Sequence, residues 1–217
     1  DVDRSRGLGD VYKRQFAANE QGPSFLYQNF DGRFVDRAVE YGVDDARQNG
    51  RGTALADILY DGRLGIIIGN WNGYHRAYVP ARHSFLDYAT EAFREPSLVR
   101  TVISADFDND GFDEIFFNNI GQPNRMFRVR DGGVLEPVAL SAALEADGLG
   151  TGAAVADMDG DGVLDLLVAH GESAPQPLSL FRAAIDGPRR YLRIAPLTGQ
   201  GAPARGATVI LETDMRV

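Results

Sequence analysis

Apolar residues along this chain gather in short runs, and turns rich in Asp and Gly separate them. Residues 66–68, 115–117 and 166–168 are continuously apolar, which is typical of strands that are covered on both faces. Helical periodicity is limited to residues 89–93 and 139–146, each long enough for a turn or two. The pattern predicts a protein built mainly of short β-strands.

The runs belong to an internal repeat of about fifty residues. Each copy has small residues, an Asp-rich turn with Gly at its sixth place, and an apolar run; the leading aspartates lie 49 and 51 residues apart. A second pattern alternates with the first, and an aromatic residue marks it at Tyr27, Tyr78, Phe127 and Phe181. Each unit therefore predicts four short strands. The three copies of the first pattern are GTALADILYDGRLGIIIGN (52–70), TVISADFDNDGFDEIFFNN (101–119) and GAAVADMDGDGVLDLLVAH (152–170).

Four strands per fifty residues are typical of a β-propeller blade, whose faces are covered by its neighbours. We therefore predict an all-β fold, a β-propeller over residues 16–188, with a β-sandwich as the alternative. Three complete units and part of a fourth fall short of the minimum of about four blades for closure. We expect a truncated propeller of about three to four blades.

The two ends of the chain differ from this pattern. Residues 1–15 hold seven charged residues and the only lysine, Lys13, whereas every other basic residue is arginine. We interpret them as a leader that is foreign to the rest or disordered, an ordinary polar terminus being the alternative. Residues 206–217 alternate apolar and polar residues and stop without a turn. We expect the chain to be a fragment that ends inside a domain.

Composition excludes several classes of function. The chain has 217 residues, of which 44% are hydrophobic and 24% charged, as in globular domains. Its net charge of -9 repels phosphate backbones and anionic lipids, so we expect neither nucleic acid nor membrane insertion. The absence of cysteine excludes disulfides, thiolate metal sites and cysteine nucleophiles. No apolar stretch reaches the roughly 18 residues of a transmembrane helix, and no signal peptide is visible.

The most complete Asp turn is residues 157–165, here the third Asp loop. Carboxylates stand at its places 1, 3, 5 and 9 and Gly at place 6, so alternate side chains converge on one point. Calcium takes six to eight oxygen ligands, and a carbonyl at place 7 is expected to add one. Oxygen ligands without histidine or thiolate favour calcium over zinc or copper. The predicted ligands are Asp157, Asp159, Asp161, the Val163 carbonyl and Asp165.

The other two copies keep this set to different degrees. The second Asp loop (106–114) retains the first three carboxylates and has Glu114 at place 9, so we expect calcium there too, with altered geometry. The first Asp loop (57–65) has Leu59 and Gly65 at places 3 and 9. Only Asp57 and Asp61 remain as ligands in the first Asp loop. We therefore expect this candidate calcium site, the third and degenerate one, to be empty.

The Asp loops have two other possible interpretations. An EF-hand loop begins in the same way but needs a bidentate Glu at place 12 between two helices. Place 12 is Phe117 or Val168, in apolar runs, so the EF-hand interpretation fails. The remaining alternative is that Asp-Gly pairs serve only as hairpin turns. Two full copies in register favour calcium.

These motifs carry a family resemblance. The DxDxDGxxD turns resemble FG-GAP/VCBS calcium-binding propeller repeats, and residues 191–211 resemble the opening of an ASPIC/UnbV domain, here assigned to 189–217 in truncated form. The strings GRGTALAD, GNWNGYHRAY, RTVISADFDNDG and GTGAAVADMDGDGVLDL are similar to the cartilage acidic protein 1-like family, over about residues 24–211. The resemblance implies an extracellular propeller with calcium in its blade loops. The metal ligands that it implies are Asp106, Asp108, Asp110, Phe112 and Glu114 in one loop, and Asp157, Asp159, Asp161, Val163 and Asp165 in the other.

No catalytic motif stands beside these loops. Nucleophile elbows, P-loops and HExxH are absent. The nearest candidate, residues 170–173, is interpreted as an ordinary loop, His75 as structural, and Trp71 as an aromatic packed over a turn rather than a platform for sugar. We therefore expect no enzyme.

The leading hypothesis is a calcium-binding extracellular β-propeller, an interaction or adhesion module for an unidentified extracellular protein or glycan. The alternative is a propeller lyase or hydrolase that acts on polysaccharide. Sites tuned to millimolar calcium work outside the cytosol. We therefore expect a secreted protein, extracellular or at the cell surface, whose signal peptide is missing from this fragment.

Overall fold

A computed structural model describes residues 14–172, 174–183, 192, 194–204, 207 and 209–210. Within them, strands form four separate antiparallel sheets, and the helices are short: α1 (Ala38–Tyr41), α2 (Glu91–Arg94) and two 3-10 turns, Asp131–Gly133 and Ala142–Leu144. The strands are β1 (Arg14–Ala17), β2 (Phe25–Phe30), β3 (Arg33–Asp36), β4 (Gly50–Ala56), β5 (Gly65–Asn70), β6 (Arg76–Pro80), β7 (Phe85–Asp87), β8 (Val99–Ala105), β9 (Glu114–Asn119), β10 (Arg125–Arg130), β11 (Val134–Val138), β12 (Gly150–Ala156), β13 (Asp165–His170) and β14 (Ser179–Phe181).

Each sheet is a meander in which strands that follow one another in sequence are paired. The sheets are β1–β3, β4–β7, β8–β11 and β12–β14, here sheets 1 to 4. The first strands of sheets 2, 3 and 4 are neighbours, since β4 lies beside β8 and β8 beside β12. The prediction of an all-β chain built from repeated units is confirmed. In the described part of the chain the sheets follow one another without closing into a ring.

The repeat extends to details of the backbone. Strands β4, β8 and β12 each shift register against the next strand near their start, at residues 50–52, 99–101 and 150–152. Close approach of β5 to sheet 3 requires glycine, because a Cβ atom on Gly69 would lie 2.6 Å from Cγ2 of Val102. The same local geometry therefore recurs once per unit.

Three hydrophobic clusters fill the spaces between successive sheets. Ile66 and Ile68 face sheet 1, whereas Ile67 faces sheet 3. In sheet 3, Phe117 packs toward sheet 2 and Phe116 toward sheet 4. The continuously apolar runs are therefore strands covered on both faces, as the sequence predicts. Four sheets packed in series do not fit the alternative of a two-sheet β-sandwich.

The largest cluster, between sheets 2 and 3, is rich in aromatic rings. Phe93, Phe117 and Phe127 are each 1% exposed or less, and their ring centroids lie 4.8–5.7 Å apart. Phe93 reaches this cluster from α2, whose N-cap Thr90 Oγ1 accepts a hydrogen bond from the Phe93 backbone N–H at 3.3 Å. The predicted helical stretch at residues 89–93 thus contributes Phe93 to the core.

The ends of the chain are described only in part. Strand β1 pairs Arg14 and Gln15, two residues of the expected leader, with Gln28 and Tyr27 of β2; residues 1–13 lie outside the described part. Much of the expected ASPIC/UnbV segment also lies outside it, although an isolated bridge joins Leu197 and Pro203. Of the helices that the structure describes, none has the length and apolar character needed to cross a membrane.

Candidate metal centre

The three Asp loops occupy equivalent positions, each joining the first strand of a sheet to the second. Because β4, β8 and β12 are neighbours, the loops follow one another at one end of the sheets. Successive loops touch through the residue at place 4. The Tyr60 and Phe112 rings meet with centroids 4.2 Å apart, and Asn109 Nδ2 donates to the Gly162 carbonyl at 3.0 Å.

Backbone hydrogen bonds shape the third Asp loop. Asp157 Oδ1 accepts from the Asp161 N–H at 2.9 Å, and Asp157 Oδ2 accepts from the Gly162 N–H at 3.2 Å. Asp161 Oδ1 in turn accepts from the Val163 N–H at 2.9 Å. As a result, Asp157, Asp159 and Asp161 each offer a carboxylate oxygen, and these oxygens lie within 4.8 Å of one another. Three of the five predicted ligands are therefore brought together.

The place-9 aspartate of this loop serves the backbone. Asp165 is 4% exposed, and its Oδ2 accepts from the Met158 N–H at 3.1 Å. It is not part of the group within 4.8 Å. Val163, whose carbonyl is a predicted ligand, has a buried side chain. Asp165 thus fixes the second residue of the loop from the first position of β13.

The second Asp loop assembles a different trio. Here Asp106, Asp108 and Glu114 offer carboxylate oxygens within 4.8 Å of one another. Glu114 is 1% exposed, and its Oε2 accepts from the Phe107 N–H at 3.0 Å, the same backbone contact that Asp165 makes. The longer Glu114 side chain therefore places one oxygen near those of Asp106 and Asp108 and also accepts the backbone hydrogen bond from Phe107.

Asp110 and Phe112, the other two predicted ligands of this loop, are joined by a turn. Asp110 Oδ1 accepts from the Phe112 N–H at 2.9 Å, and Asp110 is outside the trio. Its own N–H donates to Asp106 Oδ1 at 3.1 Å. The Phe112 ring, 38% exposed, faces Tyr60 of the neighbouring loop. Both residues thus have clear roles in shaping the loop.

Burial raises the pKa of two carboxyls in this trio. It raises the pKa of the Glu114 carboxyl, and the hydrogen bond from Arg128 only partly opposes the rise. Burial also raises the pKa of the Asp106 carboxyl against the backbone hydrogen bonds from Gly111 and Asp110. Since metal ligands must be deprotonated, the positive charge of Arg128 favours the form of Glu114 that can bind a cation.

One functional residue that sequence reasoning missed is Arg128 on β10. Its Nε donates to Glu114 Oε1 at 2.9 Å, and its Nη2 donates to Asp108 Oδ2. Arg182 has a related position, since its Nη1 lies 2.9 Å from Asp159 Oδ2. The alignment of the second repeat pattern could have found them, because each arginine directly follows the marker aromatic of its unit.

In the first Asp loop, an arginine of the loop itself pairs with one of the carboxylates. Asp57 accepts from the Asp61 and Gly62 N–H groups, so the turn persists. Arg63 Nε donates to Asp61 Oδ2 at 2.9 Å, and this side-chain bond lowers the pKa of Asp61. At place 9, a Cβ atom on Gly65 would lie 2.5 Å from the carbonyl oxygen of β6 opposite. The first loop thus keeps the turn but pairs Asp61 with an arginine and has no side chain at place 9, and its expected lack of calcium stays a prediction.

Comparison with known proteins relates this sequence to a family. Residues 82–168, which include the second and third Asp loops, match the model for FG-GAP-like repeats. The chain is 51% identical to cartilage acidic protein 1 of Homo sapiens over 211 residues, which is 91% of this chain and 32% of the relative. The Mus musculus and Xenopus tropicalis proteins of the same name are 50% identical over the same length. The chain is a homologue of cartilage acidic protein 1.

The predicted family resemblance is therefore confirmed over most of the chain. This chain spans about one third of the length of the cartilage acidic protein 1 relatives that it matches. The span that matches FG-GAP-like repeats contains the whole of both loops that carry acidic trios.

The remaining candidates from the sequence have structural partners. His75 is buried, its Nδ1 accepts from the Asn70 N–H at 3.0 Å, and its Nε2 lies 3.0 Å from Ser97 Oγ. Burial lowers its pKa to about 3, which keeps the ring neutral. His170 Nδ1 lies 2.7 Å from the Pro177 carbonyl. These contacts agree with the structural interpretation of both histidines; residue 173 lies outside the described part.

Trp71 is flanked by arginine. The guanidinium carbons of Arg51 and Arg100 lie 4.5 and 4.6 Å from the centre of its ring system, within the range of cation–π interactions. Arg51 pairs with Glu20, and Arg100 with Glu172. Contacts of this kind favour the packed interpretation of Trp71 over an open platform for sugar.

Proposed function

We propose that this chain is part of a secreted, calcium-binding β-propeller that acts as an interaction module for an extracellular protein or glycan. The observation that carries the proposal is the recurrence of an acidic trio in two equivalent loops, 106–114 and 157–165. Both loops lie in the span that matches FG-GAP-like repeats. A lone acidic turn would carry far less weight, because acidic turns are common on protein surfaces.

Calcium fits the donor chemistry of both loops. The donors are carboxylates and backbone carbonyls, the hard oxygen ligands that calcium takes in sets of six to eight, and the chain has no cysteine. Water would complete the shell, since neither loop supplies six protein oxygens from one ligand per residue. The proposed ligands are Asp106, Asp108, Asp110, Phe112 and Glu114 in the second loop, and Asp157, Asp159, Asp161, Val163 and Asp165 in the third.

Two further arguments support the propeller and its location. Sheets in series with neighbouring first strands are compatible with blades around an axis. The relatives are about three times as long as this chain, which leaves room in them for further blades and an ASPIC/UnbV module. The relatives are named after cartilage, and calcium sites of extracellular modules are tuned to the millimolar calcium outside cells. Exposed loops at one end of the sheets would then face the partner.

Calorimetric titration with calcium chloride tests the metal assignment. We expect two ions for the unaltered chain, one each for Asp106→Asn and Asp157→Asn, and none for the double variant. Asp31→Asn is the matched control, because it removes one negative charge from the exposed β2–β3 turn. Absence of calcium binding by the folded chain, or unchanged stoichiometry in the double variant, would refute the assignment.

The proposal gives the chain no catalytic role. The paired acids of the loops are accounted for as metal ligands, and His75 and His170 have structural partners. Incubation of the calcium-loaded chain with an acidic polysaccharide should therefore release no new reducing ends or unsaturated products. Product release that Asp106→Asn and Asp157→Asn abolish would instead favour the lyase or hydrolase alternative.

A further inference from the structure

An arginine lies opposite the place-9 carboxylate of the second Asp loop. Arg128 of β10 pairs directly with Glu114 of β9 in the strand register. In sheet 4, Arg182 immediately follows Phe181, which pairs with Leu166, so it holds the corresponding position. In sheet 2 that position is Val79, which follows Tyr78. The two loops with acidic trios therefore face arginine, and the degenerate loop faces an apolar residue.

The two arginines are engaged to different extents. Arg128 is 24% exposed and binds two members of the acidic trio, Asp108 and the buried Glu114. Arg182 is 62% exposed and contacts Asp159, which is itself 31% exposed. An exposed ion pair is screened by water and salt, whereas a partly buried pair is screened much less. The charge of Arg128 therefore acts on its loop more strongly than the charge of Arg182.

A guanidinium cannot lose its charge in a protein. Its fixed positive charge stabilises the ionised carboxylates but repels a second cation that uses the same oxygens. A calcium ion on the oxygens of Asp108 and Glu114 would lie roughly 5 Å from the guanidinium, the sum of a calcium–oxygen bond and a hydrogen bond. Even in a water-like dielectric, repulsion at that distance weakens binding about tenfold.

We propose that Arg128 is a built-in counter-cation that lowers the calcium affinity of the second Asp loop. The inference rests on the calcium binding proposed above. With Arg128 in place, the second loop would fill only at higher calcium concentrations than its oxygen ligands alone would require.

The opposite role for Arg128 makes a different prediction. If the guanidinium mainly held Asp108 and Glu114 in position for the metal, its removal would weaken calcium binding. Arg128→Gln and Arg128→Met separate the two roles. Both remove the charge, but only Gln keeps an N–H donor for Glu114.

The test is calorimetric titration of calcium chloride into the full chain in the Asp157→Asn background, which isolates the second loop. Arg128→Gln and Arg128→Met should each bind calcium about tenfold more tightly than the background. Arg37→Met is the matched control, because Arg37 follows β3 of sheet 1 and pairs with Glu40, so sheet 2 lies between it and the second loop. It should leave the affinity unchanged.

The other outcomes would refute either the counter-cation role of Arg128 or calcium binding itself. Unchanged or weaker binding in both Arg128 variants would refute the counter-cation role and leave the calcium site standing. Weaker binding in Arg128→Met alone would assign Arg128 to positioning and would also refute it. If the unaltered chain, shown to be folded by circular dichroism, binds no calcium, the proposed function itself fails.

Discussion

Neutralising one carboxylate of the third Asp loop should stabilise the calcium-free protein. Asp161→Asn is the perturbation of choice, because the Asn side-chain oxygen can still accept the hydrogen bond from the Val163 N–H that shapes the turn. The substitution removes a charge whose oxygen lies within 4.8 Å of those of Asp157 and Asp159. It therefore changes electrostatics while the loop geometry is retained.

The magnitude follows from these distances. Two unit charges 4.8 Å apart repel by about 0.9 kcal/mol in a water-like dielectric. Removal of two such pairs is worth about 1.7 kcal/mol. For a chain of this size, each kcal/mol moves the melting temperature by roughly 2–4 °C, so Asp161→Asn should melt about 3–7 °C higher in chelator.

In the presence of calcium, Asp161→Asn should lose part of this gain in stability. A lost ligand weakens binding, and a tenfold loss of affinity removes about 1.4 kcal/mol of calcium-dependent stabilisation. Differential scanning fluorimetry in EGTA and in millimolar calcium measures both arms, with Asp31→Asn as the charge-matched control. A lower melting temperature of Asp161→Asn in EGTA, or an undiminished shift with calcium, would show that repulsion around a metal site is the wrong description.

Three further predictions concern the scaffold. Phe117→Ala should cost about 3–5 kcal/mol in urea unfolding, because it opens a cavity in the aromatic cluster; a loss below 1 kcal/mol would contradict the packing described. Because the folded pKa of His75 is about 3, below its unfolded value of about 6.5, stability should fall as pH drops between these values, by about 2 kcal/mol at pH 5. His75→Gln should remove that part of the slope, and an unchanged slope would refute it. Asn109→Gly removes the donor to the Gly162 carbonyl without straining φ 57 and should cost about 1 kcal/mol; an unchanged urea midpoint would argue against contact between loops.

The fold could be predicted from the sequence where a pattern of residues is compatible with only one environment. The run Ile66, Ile67 and Ile68 can be buried only if both faces of its strand are covered, and the structure covers them. The fifty-residue period then fixed one sheet per unit. Helix α1 (Ala38–Tyr41) was not predicted, because a four-residue helix has no periodicity to detect and depends on the packing of Ala38 against sheets 1 and 2.

The site was predictable only within each loop. Spacing of carboxylates at alternate places indicated convergence, and the trio of Asp157, Asp159 and Asp161 has it. Contacts between a loop and residues of other strands or sheets could not be predicted from the spacing within the loop, because they depend on strand register. The bonds of Arg128 to Glu114 and of Asn109 to Gly162 both cross between strands or sheets. The sequence analysis therefore ranked the second loop by its own residues and missed the cation beside it.

Each of the three Asp loops pairs at least one carboxylate with an arginine, and this arginine lies at an increasing distance along the chain. In the first, Arg63 pairs with Asp61 two residues away, inside the turn. In the second, Arg128 reaches across from the third strand of the sheet and shares the acidic trio. In the third, Arg182 makes an exposed contact to Asp159. The second and third loops also keep acidic trios, and no such trio is found among the described residues of the first. Calcium would therefore stabilise the first loop least.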